Sequence, residues 1–587
     1  MLAGFYVFAG AIIAGLIWLG VLLGSPKLFI VTLFAAAAMV VAFWKVLRTK
    51  PELPDGVRVE RSHAPELWAS IEELAKKVGT RAPDEIQLIP EVNAAVTEDA
   101  KWLGIVGGRR YLLIGTPLLQ TFTVDQLRAV LAHELGHYSN NHTRLGALSY
   151  RGRMMIVNTV QRLDGIISWL MLGYARVYIL VESSVSRRQE FEADLASARL
   201  AGKGALASAL GELPVLGQAW GFYLDRYVAY GLDSGYAPAG IIRSFPELFA
   251  ARQKELDEMR RSPKPEEHSR WDSHPPIATR IAVIAKQPDV AIVADGRPAM
   301  ALIPAAETYF EQLEQKFNFG TRQRVPFAEF TSHAQQANSQ FAADHLYRAA
   351  GRLASDPQPG LRTVLTVLQT GRHPELLAAL GKESLEVSVQ AAIANVAVRS
   401  GAASWRLSWT EAIDLVAADG TSFPYEELAK PIAAGDLAGT QGTLEKLVAL
   451  GIDLGTAQAV HTSATADRAE VIGAMVNMKI NGDRKDLLVL DTGLIIVPGA
   501  ARLKMGGAKK RLAELAQLPP AQLIAQAGHQ YLPYEEMRQV RTSRVIRKTY
   551  EITMHNGSVV RIKHGGETED LATNNAFGQV MANVMNR

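Results

Sequence analysis

His133-Glu134-Leu135-Gly136-His137 constrains this chain more than any other stretch of it. Two histidines four apart share one face only if the backbone there is helical, and on a helix they can hold one metal ion with Glu134 beside them. The flanking residues fit a helix. Leu127, Val130, Leu131 and Leu135 supply an apolar face, and Thr123 with Gln126 three residues on makes a capping box at the start. Gly136 falls mid-helix, where glycine costs stability relative to alanine, so another element is expected to approach closely at that point.

A catalytic metal needs three protein ligands and an open fourth position for water. The chain has no cysteine, so the third ligand must be His, Asp or Glu. The best source is SVSRRQEFEADLASARLA, Ser184 to Ala201. On a helix Glu190 and Asp194 face the same way. One carboxylate can bind the metal while the other, a turn away, orients a ligand imidazole through its free ring N–H. The bland reading of Glu190, Glu192 and Asp194 beside Arg187 and Arg188 is a charged, solvated face.

The N-terminus adds a second constraint. Ala3–Leu23 and Leu28–Val46 are apolar runs separated only by Gly-Ser-Pro-Lys, and each is long enough to span a bilayer. No basic region precedes the first, which argues against a cleaved signal and for a membrane hairpin. Lys45, Arg48, Lys50, Arg58 and Arg61 flank or follow the second run, while the connector offers only Lys27. The positive-inside rule therefore places both ends and the bulk of the chain on the cytoplasmic side. A third apolar stretch, Met154–Val181, is interrupted by Arg162, Asp164 and Arg176. One crossing there would put His133 and Glu190 on opposite sides of the membrane, and two crossings do not fit, so a buried helix pair or an interfacial segment is expected.

With 587 residues the chain has room for two to four folded units. A net charge of +3 does not argue for nucleic acid. The composition shifts divide the chain into a transmembrane helical hairpin over 1–50, a metal-site domain over 51–295, an α-helical domain of unknown role over 296–481, and a β-rich domain over 482–587. Within the second, PDEIQLIP reads as a strand and the segment from Asn93 to Phe122 as strands broken by a Gly-Gly turn. PIAAGDLAGTQGTLEKLVALGIDLGTA reads as one helix pair. In the last domain DLLVLDTGLIIVP and YEITMHNGSVVRIKH read as hairpins, the second turning at Asn556-Gly557, before a helix over Ala572–Met585. That order is compatible with a small pleckstrin-homology-like barrel.

Taken together, His133-Glu134-x-x-His137 and Glu190-Phe-Glu-Ala-Asp194 resemble the membrane-bound gluzincins, the HtpX-type heat-shock proteases and CAAX prenyl proteases. Asn93-Ala-Ala-Val resembles the family's Asn-Ala-Phe strand along the substrate, with Ala95 where phenylalanine is frequent. Ser273-His-Pro-Pro…Arg280-Ile resembles its late motif. The resemblance runs from about Pro51 to Lys286 and implies a mainly α, zincin-like protease domain with a small β-sheet. It implies one zinc ion held by His133, His137 and Glu190, with Glu134 as general base and Asp194 orienting a ligand histidine. It further implies His274 near the oxyanion, Arg280 bracing the cleft, and Asn93 and Ala94 binding substrate.

The expected function is a zinc endopeptidase anchored to a bacterial-type membrane, cleaving membrane or membrane-proximal polypeptides in quality control. Substrate would add as a strand beside Asn93–Val96 or Tyr111–Gly115. A prenyl-protease role is disfavoured, because two spans cannot build a many-helix chamber. The alternative is a membrane-tethered adaptor that retains a protease core. The large C-terminal half supports it, as does the basic run with Arg538, Arg541, Arg544, Arg547 and Lys548, which suits anionic headgroups or a protein partner as well as a solvated face. His142, five residues past His137, lies off the ligand face and is expected to be structural.

Overall fold

The computed structural model describes residues 55–99, 108–138, 156, 165–263, 274–380, 382–455, 458–459, 469–498, 514–544 and 548–563, with scattered positions between Gly10 and Ala37. The two N-terminal apolar runs therefore lie largely outside the described residues, as do His142, Arg547 and the expected C-terminal helix. Among the described residues no helix is long and apolar enough to cross a membrane. The chain divides into two compact units, residues 1–229 with 238–320, and residues 230–237 with 321–587.

The first unit is mainly helical around a four-stranded sheet. Its strands are β1 (Val57–Arg58), β2 (Glu85–Ile89), β3 (Ala94–Glu98) and β4 (Arg110–Gly115), in the order β1-β2-β4-β3. β2 and β4 are parallel, and the outer strands run antiparallel to their neighbours. β4 is thus paired on both sides and, among the described residues, β3 is an edge. Gly115 ends β4 where a Cβ would sit 1.9 Å from the Glu91 carbonyl oxygen, so only glycine lets the strand pass the loop leading into β3.

The helices are α1 (Pro65–Val78), α2 (Thr116–Thr121), α3 (Val124–Gly136), α4 (Gly165–Ala201), α5 (Lys203–Tyr223), α6 (Ile241–Ala251), α7 (Gln253–Arg261), α8 (Ile277–Ala285) and α9 (Ala306–Gln315). The capping box at Thr123 and Gln126 is formed as expected. From Gly165 on, Met154–Val181 belongs to one 37-residue helix, α4, that continues through Glu190 and Asp194, so no turn to a second helix falls within 165–181. Arg162 and Asp164 lie outside the described residues; Arg176 sits exposed within α4 and does not break it, because a charged side chain costs a helix little where it reaches water. The lower end of α4 packs with α3, α5 and α8 through Ala129, Ala198, Leu206, Leu210 and Ile284. The first unit also runs past residue 295. The Tyr309 hydroxyl on α9 accepts from the Glu60 N–H at 3.1 Å, and Glu314 accepts from the Gly240 and Ile242 N–H groups at 2.8 and 2.7 Å.

The second unit has a helical part and a sheet. Helices Phe327–Ala354, Leu361–Gln369, His373–Leu380 and Lys382–Arg399, and the expected pair Tyr425–Ala434 and Leu437–Ala449, enclose a core that includes Leu346, Tyr347, Leu365, Ile393, Phe423 and Ile432. The sheet has seven strands: β5 (Val471–Ile480), β6 (Asp483–Leu490), β7 (Gly493–Pro498), β8 (Gln530–Pro533), β9 (Met537–Arg544), β10 (Lys548–Met554) and β11 (Val559–Lys563). All pairs are antiparallel, in the order β8-β7-β6-β5-β11-β10-β9, which curls into a nearly closed, barrel-like sheet. Both expected hairpins are present, and Gly557 takes the left-handed φ of 84° that their second turn requires. β5 begins at Val471, ahead of the expected start of the β-rich domain at 482.

Candidate metal centre

α3 presents His133 inward near its last turn. His137 is the residue just beyond the helix, still in right-handed helical geometry (φ −60°, ψ −19°), with its N–H donating to the His133 carbonyl at 3.3 Å. The two rings therefore keep the i, i+4 relation and meet edge to face, centroids 4.7 Å apart. α4 crosses beside them at Gly136. A Cβ there would lie 3.3 Å from the Ala193 Cα, so the close approach expected at this glycine is made by α4. Ser197 fixes the crossing one turn on, its hydroxyl donating to the Ala129 carbonyl at 2.6 Å.

This crossing delivers Glu190 to the histidines. His133 Nε2 and His137 Nε2 are 3.1 Å apart, His137 Nε2 lies 3.3 Å from Glu190 Oε1, and His133 Nε2 lies 3.6 Å from Glu190 Oε2. His133 and Glu190 are buried and His137 is half-buried. Zinc bonds of about 2.0–2.1 Å in tetrahedral array would set donor atoms roughly 3.3 Å apart, so the three separations fit one metal ion. Polar satisfaction points the same way. Among the described residues buried Glu190 Oε2 meets only charged neighbours off the hydrogen-bonding direction, His274 at 3.1 Å and Arg280 at 3.4 Å, and at most one proton can sit between the two facing Nε2 atoms.

Behind these three residues is a charged brace. Asp194, fully buried, approaches His133 Nδ1 at 3.0 Å. It also accepts two bonds from Arg280 on α8, Nε at 2.8 Å and Nη2 at 2.7 Å. Arg280 is buried too, and its Nη1 lies 3.4 Å from Glu190 Oε2. His274, just before the Pro275-Pro276 pair that leads into α8, places Nδ1 3.1 Å from Glu190 Oε2 while its side chain is 68% exposed. Burial pushes Glu190 up, but hydrogen bonds with His137 and His274 outweigh it and hold the carboxyl far below the usual range. Burial likewise opposes Asp194, and Arg280 and His133 more than offset it, leaving it below its ordinary value. Burial lowers His137, yet Glu190 and the charge of Glu134 leave it raised. His274 is raised chiefly by its bond to Glu190.

Glu134 is half-buried on α3 between the two histidines. Asn93 precedes β3, its carbonyl accepting from the Gly115 N–H at 2.7 Å, and the Asp99 N–H donates to the Arg109 carbonyl at 2.9 Å. Antiparallel alternation then turns the backbone groups of Ala94 and Val96 to the outer edge. The Tyr138 hydroxyl meets that edge, donating to the Val96 carbonyl at 2.8 Å. Tyr138 and Ser197 were not singled out in the sequence, and nothing in their local pattern marks them. Tyr111–Gly115 is unsuitable for adding a substrate strand, because β4 is paired on both sides.

The profile of peptidase family M48 matches residues 61–287, a span that holds every residue of the metal cluster. Protease HtpX from Pseudomonas entomophila is 30% identical over 224 residues, covering 34% of this chain and 72% of the relative. The chain belongs to peptidase family M48. Protease HtpX from Pseudomonas putida strain F1 is 30% identical over 212 residues, with 32% of this chain and 69% of the relative covered. That from Hahella chejuensis is 27% identical over 291 residues, with 45% and 87% covered. No solved structure matches the chain.

Proposed function

We propose that the chain is a membrane-anchored, zinc-dependent endopeptidase with a role in protein quality control. The observation that carries this reading is the convergence of His133, His137 and Glu190 from two helices, with Glu134 alongside. His133, His137 and Glu190 would hold the zinc, which when bound lowers the pKa of a water and polarises a peptide carbonyl. Glu134 takes the proton from the attacking water and returns it to the departing amine nitrogen. His274, tied through Nδ1 to Glu190, has its exposed ring available to donate to the developing oxyanion. Arg280 and Asp194 do not reach substrate in this reading. They fix the His133 ring and the Glu190 carboxylate.

Polypeptide substrate adds beside β3, whose Ala94 backbone groups and Val96 N–H face outward, so main-chain pairing gives affinity with little sequence demand. Membrane anchoring rests on the two N-terminal apolar runs. Val177, Val181 and Val185 on α4 support it, since they leave an apolar stripe exposed among the described residues on the helix that carries Glu190.

The deciding experiment pairs zinc analysis with proteolysis for the protein and Glu134→Gln. The variant should keep its zinc and lose about 10²–10⁴-fold in turnover. Undiminished cleavage would remove Glu134 from the mechanism.

A further inference from the structure

The sheet of the second unit has two chemically different faces. Met478, Ile480, Val540, Ile552, Val560 and Ile562 point into one buried cluster. Residues alternating with these point the other way. On that side β7 and the Leu488–Leu490 end of β6 are covered, because Leu488, Leu490, Ile495 and Val497 pack against Leu523 of the short helix Pro520–Ile524, while Arg484 at the other end of β6 is exposed. The neighbouring strands β5, β11, β10 and β9 expose cations instead.

The pairing register lines these cations up. Arg484 stands opposite Lys479, and Lys479 stands opposite Lys563, which makes a row of three across β6, β5 and β11. One step along, Arg561 and Arg541 flank Glu551 across β11, β10 and β9. All five cations are exposed. Among the described residues only Arg561 has a carboxylate partner, Glu551, at 2.7 Å. Like charges directly opposite each other weaken a sheet, and Lys479 has one on each side. The array therefore lowers the stability of the isolated sheet, and an extended anionic surface would reverse that cost.

We infer that this face docks on an anionic lipid leaflet. With strands about 4.8 Å apart, the row of three cations spans roughly 10 Å of the curled sheet, suited to neighbouring headgroup phosphates. The exposed residues of these two rows include no aromatic ring for stacking bases. The inference rests on this sheet alone and is independent of the peptidase reading.

The test is amine labelling of the full chain mixed with vesicles of phosphatidylcholine alone, or of phosphatidylcholine with phosphatidylglycerol. Each cation near an anionic leaflet favours the bound state by about fivefold. Labelling of Lys479 and Lys563 should slow by about tenfold or more on the anionic vesicles and recover in 1 M salt, where screening reaches about 3 Å. Lys430 and Lys446, exposed elsewhere in the same unit, should label at unchanged rates. The double variant R484Q/R541Q should lose most of the protection. Equal labelling on both vesicle types, equal slowing of Lys430 and Lys446, or full protection in R484Q/R541Q would each overturn the proposal. Sedimentation with neutral vesicles reads the N-terminal anchor separately.

Discussion

Asp194→Ala tests whether the charged brace behind the ligands is structural, and its size can be worked from the contacts. The carboxylate is fully buried and takes Arg280 Nε at 2.8 Å, Arg280 Nη2 at 2.7 Å and His133 Nδ1 at 3.0 Å. Removing it leaves a buried guanidinium whose nearest remaining acid is Glu190, at 3.4 Å. Stranding one member of a buried ion pair costs about 3–5 kcal/mol. Freeing the ring of a ligand histidine typically costs 10–100-fold in metal affinity, about 1.4–2.8 kcal/mol. The two losses separate by experiment. Denaturant unfolding of the metal-free protein should show the first, and metal titration the second. If the stranded charge dominates, Asp194→Ala with Arg280→Met should recover much of the unfolding free energy while leaving metal affinity weak. Costs that simply add in the double variant, or a single-variant loss below about 1 kcal/mol, would refute the reasoning.

Three further outcomes follow from particular contacts. Gly136→Val places a branched side chain where even a Cβ lies 3.3 Å from Ala193, so α3 and α4 must part. A loss of about 1–3 kcal/mol is expected, with weaker metal binding, and calorimetry with a metal titration checks both. Tyr138→Phe deletes the hydroxyl that holds the Val96 carbonyl at 2.8 Å and should cost about 0.5–1.5 kcal/mol in thermal unfolding with metal content unchanged. In the second unit Glu535→Ala removes one of two acids beside the largely buried Arg348, whose Nε lies 2.8 Å from Glu535 Oε1 and whose Nη1 lies 3.7 Å from Asp344 Oδ2. A loss of about 1.5–3 kcal/mol in denaturant unfolding is expected, because a charge-assisted hydrogen bond goes while Asp344 remains.

What could be read from the sequence was local. The capping box at Thr123, the i, i+4 pairs on α3 and α4, and the Asn556-Gly557 turn each depend on a few neighbouring residues, and each is present. Pairing between distant segments was not legible in the same way. That β2 runs parallel to β4, leaving β3 as the edge, depends on which strands meet, and no short window records it. β5 was missed because VIGAMVNMKI is a mostly apolar run without strict alternation, which reads as helix or strand equally well. Arg280 carried a faint signal, as the lone charge in the otherwise apolar helix IATRIAVIA. The sequence marked it as a residue of the site, but only the fold shows that it faces Asp194 and Glu190.

The order of dependence at the metal centre explains why so small a motif needs so long a helix. His133 and His137 set two donor positions from α3 alone, but the third is fixed only by how near α4 comes. That distance is held by Gly136 against Ala193 and by Ser197 on the Ala129 carbonyl. Arg280 then ties α8 to the same point, because one guanidinium reaches both Asp194 and Glu190. The upper part of α4, where Val177, Val181 and Val185 are exposed, is joined to Glu190 by uninterrupted helix. Val177 and Glu190 stand about 20 Å apart along it at about 1.5 Å per residue. The exposed valines and the Glu190 carboxylate therefore belong to one element, with no loop between them.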